Sequence, residues 1–342
     1  MNNYIYTLCS SQNVVIDKLH FCTWNLENQN TSIELGLSLP KTDNMPDSFD
    51  IYIFAPFLNK NCEIHSLHKE LNDAENFKFI FNEKHLSSEN IGDDGRNGHI
   101  IKYNLDGVEE KMAIVKPELK IEKENCLKLT LTKHQGGYNN LYCRLYVKTQ
   151  LKTLAERTKG ISKNTYKYDF KLNEERNIPS EITDFRNQNN LFVMKVENAY
   201  CLHCVPSDYE LSYSDARKLN NLRILENDAF NKYFGNLNNI EGEYIIAFQK
   251  DKISGSGSFY MSFSQERIGN KQLAMAIGAN LICSFLFAFY SLRTQPMNDI
   301  LSLSKFPYEF ILALLFIVFC CYYCFCHSRE KDENKDNKPS DS

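Results

Sequence analysis

The stretch LYCRLYVK, residues 141–148, carries the clearest structural pattern in the sequence. From Leu141 to Val147 every second residue is apolar, which predicts a half-buried strand because successive side chains of a strand point to opposite faces. Comparable runs occur on both sides of it, at residues 33–39, 50–57, 77–81, 99–105, 112–115 and 127–131. Short strands at near-regular spacing predict a sandwich or barrel, so residues 1–150 form a predicted β-rich domain.

The composition of the chain agrees with a β-rich fold and excludes several classes of protein. Aromatic residues make up 13% of the 342 residues, and strands favour aromatic side chains. The 39 Lys and Arg residues against 43 Asp and Glu residues give a net charge of −4, which excludes a uniformly basic nucleic-acid coat protein. With only 14 glycines and 9 prolines, the chain is neither collagen-like nor a Pro/Gly-rich disordered sequence.

Residues 151–265 are predicted to form a basic connector followed by a mixed α+β region. A short helix is predicted at residues 151–157, and one longer helix is predicted at residues 214–234 from an approximate 3.6-residue period of apolar side chains. Strands are predicted at residues 166–172, 190–205, 243–248 and 258–263. The last two flank QKDKISGSG, which predicts a β-hairpin.

Two long apolar runs follow this region. Residues 273–292, LAMAIGANLICSFLFAFYSL, contain no charged residue, and residues 306–326 contain only Glu309. A bilayer core of about 30 Å needs about 20 apolar helical residues. The expected fold is therefore a mainly β region with one helix, followed by a C-terminal α-helical transmembrane hairpin, whereas the alternative is a pair of buried core helices.

The flanking charges predict the orientation of that hairpin. The N-terminus lacks the basic and long apolar segments of a signal peptide. Lys and Arg residues precede the first run and follow the second, which favours cytoplasmic N- and C-termini. We therefore expect a multi-pass protein of the cell inner membrane, with residues 327–342 as a charged cytosolic tail.

Small and polar residues in the first run predict helix packing. Ala274 and Gly278 form a small-xxx-small pair, and Asn280 and Ser284 lie one helical turn apart. An Asn in a bilayer favours a hydrogen-bond partner on another helix. This pattern predicts contact with the second span or with another copy of the chain, and the alternative is a plain two-helix anchor.

A basic segment supplies the candidate residues for nucleic-acid binding. Arg144, Lys163, Lys167 and Lys171 lie in a segment interleaved with aromatic residues such as Tyr166. Basic groups neutralise phosphates and aromatic rings stack on bases. Two alternatives stay open: the aromatic side chains form core while the lysines face water, or the lysines contact anionic lipid headgroups.

No enzyme motif and no convincing metal motif are present, so we expect neither catalysis, nor a cofactor, nor a bound metal. Two Cys/His groups could together supply zinc ligands if they met in space. They are Cys62, His65 and His68, and Cys201, His203 and Cys204. Their spacing fits no common zinc finger, and strand geometry would turn Cys204 away from the other two members of its group.

The order of these segments, a large β-rich region, two spans and a charged tail, resembles that of two-transmembrane effectors of bacterial anti-phage (retron-type) defence systems. The resemblance covers the segment order and no sequence motif. It implies that the cytosolic part senses a partner or signal and that the spans disrupt the inner membrane, causing abortive infection. The implied partners are the lipid bilayer, a reverse transcriptase–nucleic acid complex or a nucleotide signal, and further copies of the chain.

Two other functions stay open from the sequence. The first is a membrane-tethered binding or scaffold protein without lethal activity. The second is a two-span ion channel, which the sequence disfavours because a signature Gly-Met-Asn is absent and Pro296 precedes Met297 and Asn298 in the loop.

Overall fold

The computed structural model describes residues 3–26, 29–92, 94–160, 163–235, 240, 242–253, 255–266 and 270–294. Residues Met1–Glu266 form one compact unit and Arg267–Ser342 a second. The fold is mainly β, with two sheets and, in the described ranges, four α-helices.

The first half of the chain contains these elements: β1 (Asn3–Cys9), β2 (Ile16–Trp24), β3 (Ser32–Pro40), β4 (Ser48–Phe54), β5 (Glu63–Ser66), α1 (Ala74–Phe81), β6 (Lys84–Asn90), β7 (Gly98–Leu105), β8 (Val108–Val115), β9 (Glu118–Lys123), β10 (Cys126–Thr132) and β11 (Asn140–Lys148). The second half contains β12 (Glu156–Lys159), β13 (Lys163–Leu172), α2 (Ser180–Gln188), β14 (Phe192–Val193), β15 (Val196–Pro206), β16 (Tyr209–Ser214), β17 (Leu219–Ile224), α3 (Asn227–Phe234), β18 (Tyr244–Lys252), β19 (Gly257–Glu266) and α4 (Asn270–Thr294).

Both sheets combine early and late strands of the chain. The nine-stranded sheet has the order β16-β19-β13-β1-β4-β10-β9, with β12 beside β13 and β14 beside β1. The ten-stranded sheet has the order β17-β18-β15-β2-β3-β11-β8-β7-β6, with β5 beside β11. The pairs β1–β13, β2–β15 and β8–β11 are parallel. The regions predicted as 1–150 and 151–265 thus contribute strands to the same two sheets.

The main core lies between the two sheets, where the apolar side chains of alternating strand residues meet. Leu35 on β3 and Leu145 on β11 are each 1% exposed. From β2, Phe21 reaches Phe170 on β13 of the other sheet, with ring centroids 4.5 Å apart. Burying a side chain of this size contributes about 1.5–3 kcal/mol, so these alternating residues hold the two sheets together as a sandwich.

Three helices cover parts of the outer faces of the sandwich. On the ten-stranded sheet, α1 and α3 bury a second apolar cluster that includes Phe77 and Phe230. On the nine-stranded sheet, α2 buries Ile182 against a third, smaller cluster. At the start of α1, the side chain of Asp73 accepts hydrogen bonds from the backbone N–H groups of Glu75 and Asn76, which stabilises the first helical turn.

Several local predictions are wrong. Residues 77–81 end helix α1 instead of forming a strand, because Asp73 caps a helix that buries Phe77. The helix predicted at 214–234 is strand β17 followed by the shorter helix α3, and residues 156–159 of the connector form strand β12. The β-hairpin predicted around QKDKISGSG does not form, because β18 and β19 belong to different sheets.

The predicted transmembrane hairpin is contradicted. Within the described ranges, no helix combines the length and the apolar character needed to cross a membrane. The run at 273–292 lies in α4, where Gly278, Asn280 and Ser284 interrupt the apolar side chains. This finding also overturns the predicted inner-membrane location with two spans and cytoplasmic termini. The run at 306–326 and the tail at 327–342 lie outside the described residues.

The four residues predicted to pack membrane helices all lie on α4. Asn280 and Ser284 are exposed and Gly278 is partly exposed, while the side chain of Ala274 is outside the description. A Cβ atom built on Gly278 would meet no other described atom within 4 Å outside its own helical turn. Packing of these residues against another helix or another copy of the chain is tested by no observation of the fold and stays a prediction.

Candidate ligand-binding site

A buried ion pair lies on the outer face of the ten-stranded sheet. Glu34 is on β3 and Arg144 is on the neighbouring strand β11, and their side chains are 0% and 3% exposed. The Nε atom of Arg144 donates a hydrogen bond to Oε2 of Glu34. Two charges removed from water require such pairing, since an unpaired buried charge is costly.

The remaining acceptor sites of Glu34 are used by two aromatic residues. Trp24 on β2 donates from Nε1 to Oε1 of Glu34 over 2.6 Å. The hydroxyl of Tyr233 donates to Oε2 over 3.0 Å. Because Tyr233 belongs to α3, the carboxylate of Glu34 ties this helix to the sheet. Trp24 also packs edge-on against Phe230 of the same helix, with centroids 4.8 Å apart.

Arg144 also begins a chain of hydrogen bonds that ends at His20. Its Nη1 atom donates to the hydroxyl oxygen of Tyr142 over 3.0 Å, and that hydroxyl lies 3.0 Å from Nδ1 of His20. The same Nη1 atom lies 3.4 Å from Nδ1 of His20. Because a guanidinium can only donate, Nδ1 is an acceptor, and the Tyr142 hydroxyl therefore donates to it. We therefore assign the ring proton of His20 to Nε2.

Outside the Glu34–Arg144 ion pair, burial favours the uncharged forms of the titratable groups in this network. Burial, with the charges of Arg144 and Lys18 close by, lowers the pKa of His20 to about 3. Burial raises the pKa of Tyr142 and of the Cys22 thiol to about 12. A neutral imidazole, a phenol and a protonated thiol offer hydrogen bonds and no activated nucleophile, so the arrangement suits binding.

Gly36 on β3 makes room for this network. A Cβ atom at this position would lie 2.4 Å from the hydroxyl oxygen of Tyr142 and 3.1 Å from Cβ of His20. Any larger residue would therefore displace the Tyr142 side chain from its place across β3. The sequence pattern gave no sign of this close approach.

A cavity of about 450 Å³ lies over the network. It is bounded by the outer face of the ten-stranded sheet, including its edge strand β17, and by α1. Its volume is in the range typical of small-molecule sites. Aromatic and apolar side chains form much of the wall, and a set of amide and charged side chains lies among them: Lys18, Asn82, Glu83, Asn140, Asn221 and Arg223. Aromatic walls with a few polar groups are the usual composition of a site that binds a small molecule.

The structure does not bring the four basic candidate residues together. Arg144 is buried in the ten-stranded sheet, whereas Lys163, Lys167 and Lys171 lie on β13 of the other sheet. Between these lysines, Tyr166 and its alternating neighbours point into the core. Lys171 pairs with the Glu174 carboxylate over 3.5 Å.

The Cys/His groups are also separated by the fold. Cys201 and His203 point into the core between the sheets, where Sγ and Nε2 are 3.4 Å apart. Cys204 points to the opposite face and packs in the cluster beneath α3. Across the described ranges, no three Cys, His, Asp or Glu residues are grouped so that they could hold a metal ion, and this includes the segment around Cys62, His65 and His68.

The buried imidazole of His203 predicts a pH dependence of stability. Burial lowers its pKa to about 3, while an unfolded histidine has a pKa of about 6.5. Below pH ~6.5 the unfolded chain binds a proton that the folded protein does not. As the pH is lowered from ~6.5 to ~3, the free energy of unfolding therefore decreases by about 1.4 kcal/mol per pH unit. Urea unfolding at a series of pH values between these limits gives the slope of the unfolding free energy against pH. In His203→Asn this slope should be smaller by the amount that one proton contributes, and an unchanged slope would contradict this assignment.

Sequence reasoning identified Arg144 but missed its partners. The missed residues are His20, Trp24, Glu34, Tyr142 and Tyr233. One signal was available: each of two alternating strand patterns contains a single charged residue before its last position. Glu34 is the acidic one in residues 33–39, and Arg144 is the basic one in residues 141–147. No family model matches this chain, and no curated protein is similar to it in sequence.

Proposed function

We propose that the β-sandwich is a binding module and that its cavity holds a small molecule with a planar ring. The observation that supports this function is the cavity of about 450 Å³ above the Arg144–Tyr142–His20 chain of hydrogen bonds. Its aromatic walls can pack against a ring, and its floor can donate hydrogen bonds to that ring.

This proposal keeps one part of the expectation drawn from the sequence, which is that the β-rich region senses a partner or a signal. Disruption of the inner membrane is not part of it, because the predicted spans are contradicted. A role in anti-phage defence, a reverse transcriptase–nucleic acid partner and self-association are tested by no observation of the fold and stay predictions.

The single tryptophan of the chain provides a direct test. Trp24 lines the cavity, so energy transfer from its indole reports a fluorescent ring bound there. We expect anilinonaphthalene sulfonate to show saturable transfer from Trp24. In Asn221→Phe, which narrows the cavity from β17, the affinity should fall about tenfold, because the added ring occupies the space of the probe.

The matched control is Leu222→Phe. Leu222 is the next residue of β17, points to the opposite face and is 47% exposed. This variant adds a phenyl ring of the same kind outside the cavity and should bind the probe as the unmodified protein does. Equal affinity of both variants, or no saturable transfer at all, would refute the cavity as a binding site.

A further inference from the structure

We infer that the ligand of this cavity is an uncharged heteroaromatic ring whose edge presents a hydrogen-bond acceptor to Nε2 of His20. This inference rests on the proposed function, because it names the class of ligand for the same cavity. Three features support it: the direction of the protons in the network beneath the cavity, the balance of charge in that network, and the aromatic rings around His20.

The network makes His20 a hydrogen-bond donor to the cavity. Nη1 of Arg144 lies 3.0 Å from the Tyr142 hydroxyl and 3.4 Å from Nδ1 of His20. Because a guanidinium only donates, Nδ1 accepts, and a neutral imidazole with an accepting Nδ1 carries its proton on Nε2. This Nε2–H has no hydrogen-bond partner among the described residues, and the partly exposed ring of His20 lines the cavity. A ligand atom that accepts a hydrogen bond would satisfy it.

The network offers a ligand no net charge. Glu34 lies directly against Arg144 and balances its charge. Oε1 of Glu34 accepts from Trp24, and Oε2 accepts from Arg144 and Tyr233. Burial of most of the imidazole, with the charge of Arg144 nearby, lowers the pKa of His20 to about 3 and keeps it neutral. An anionic group on this floor would lose its hydration without gaining a counter-charge.

The two exposed cations of the lining, Lys18 and Arg223, lie far apart. Arg223 is level with Ile246, Cys204 and Trp24 along the paired strands. Trp24 is at the opposite end of β2 from Lys18. These two cations therefore cannot converge on one group of a ligand, which leaves the donor of His20 as the polar group at the centre of the cavity floor.

Aromatic rings surround this donor. Tyr200 on β15 is the strand-pairing partner of His20, and its ring centroid lies 5.1 Å from that of His20. The rings of Tyr142 and of Phe81, at the end of α1, lie 5.8 Å and 6.4 Å away. All three rings line the cavity. A planar ring that accepts from Nε2 of His20 therefore lies beside aromatic surface, where it can pack edge-to-face or offset.

The test is competition against anilinonaphthalene sulfonate on the full chain. Three competitors contain the same fused pair of six-membered rings: isoquinoline has a neutral ring acceptor, naphthalene has none, and 2-naphthoate carries an anionic group. At a mildly alkaline pH, where isoquinoline is uncharged, we expect it to displace the fluorescent probe at about one-fifth of the concentration that naphthalene needs, which is the effect of one neutral hydrogen bond. 2-Naphthoate should compete no better than naphthalene.

A variant of His20 tests the donor itself. His20→Phe keeps an aromatic ring and removes the Nε2–H, so isoquinoline should compete only about as well as naphthalene. The matched control is His65→Phe, the same change at an exposed position of β5 outside the cavity lining, and it should keep the preference for isoquinoline. The comparison of competitors in the unmodified protein decides the question even if His20→Phe fails to fold.

The outcomes separate this inference from the proposed function. If anilinonaphthalene sulfonate binds in the cavity and isoquinoline competes no better than naphthalene, the ligand class is wrong and the binding module stands. Stronger competition by 2-naphthoate than by isoquinoline, or an undiminished preference for isoquinoline in His20→Phe, would also overturn the assignment. If neither the fluorescent probe nor any competitor binds, both proposals fail.

Discussion

Replacing Glu34 with alanine is expected to lower the free energy of unfolding by about 3–5 kcal/mol. The substitution leaves the Arg144 guanidinium buried, at 3% exposure, without its counter-charge. It also removes the acceptor of the Trp24 and Tyr233 hydrogen bonds and so loosens α3 from the sheet. Urea unfolding followed by the fluorescence of Trp24 would measure the loss.

A double variant distinguishes charge burial from simple loss of packing. Glu34→Met combined with Arg144→Leu removes both charges and keeps apolar volume, and such replacements of buried ion pairs are often close to neutral. We therefore expect the double variant to be more stable than Glu34→Ala. A loss below about 1 kcal/mol in Glu34→Ala, or a double variant less stable than the single one, would contradict the role given to this pair.

Replacing Phe170 with alanine is expected to cost about 3–5 kcal/mol of stability. Phe170 is 2% exposed and packs across the sandwich on Phe21 and on the ring of His203. Removing the phenyl ring leaves a cavity between the two sheets. The sheets cannot move together to fill it, because the surrounding core side chains hold them apart. Thermal and urea unfolding would both record the loss.

The neighbouring lysines give the matched control on the same strand. Lys167 lies on the opposite face of β13 and is only partly buried, so Lys167→Ala should change stability by less than about 0.5 kcal/mol. This pair of variants also tests the alternative raised by the sequence, in which the aromatic residues of this segment stack on bases. If Phe170→Ala were fully stable, the aromatic side chains would be available for stacking and the core assignment would be wrong.

The sequence was informative wherever the signal was local. Alternation of apolar residues identified β3, β11 and β13, because a strand with one face in the core must repeat every second residue. It misled at residues 77–81, where Phe77, Phe79 and Phe81 alternate but belong to a short helix. The deciding signal there was Asp73, four residues before Phe77, whose side chain caps that helix.

The site could be predicted only in part, because its contacts join distant residues. Glu34 and Arg144 are separated by 110 positions, and Tyr233 lies 199 positions from Glu34. Strand pairing alone decides that these side chains meet, and no local pattern encodes that pairing. The sequence therefore groups Arg144 with Lys163, Lys167 and Lys171, which the fold places on the other sheet.

The parallel pairing of early and late strands has a consequence for how the protein is made. β1 and β2 emerge from the ribosome well before one neighbour of each, β13 and β15, which lie within residues 163–206. Until then both strands have a free edge that can pair with other nascent chains. Because contacts of such high sequence separation form slowly, the completion of both sheets has to follow translation of most of the chain, and the interval before it is when aggregation competes with folding.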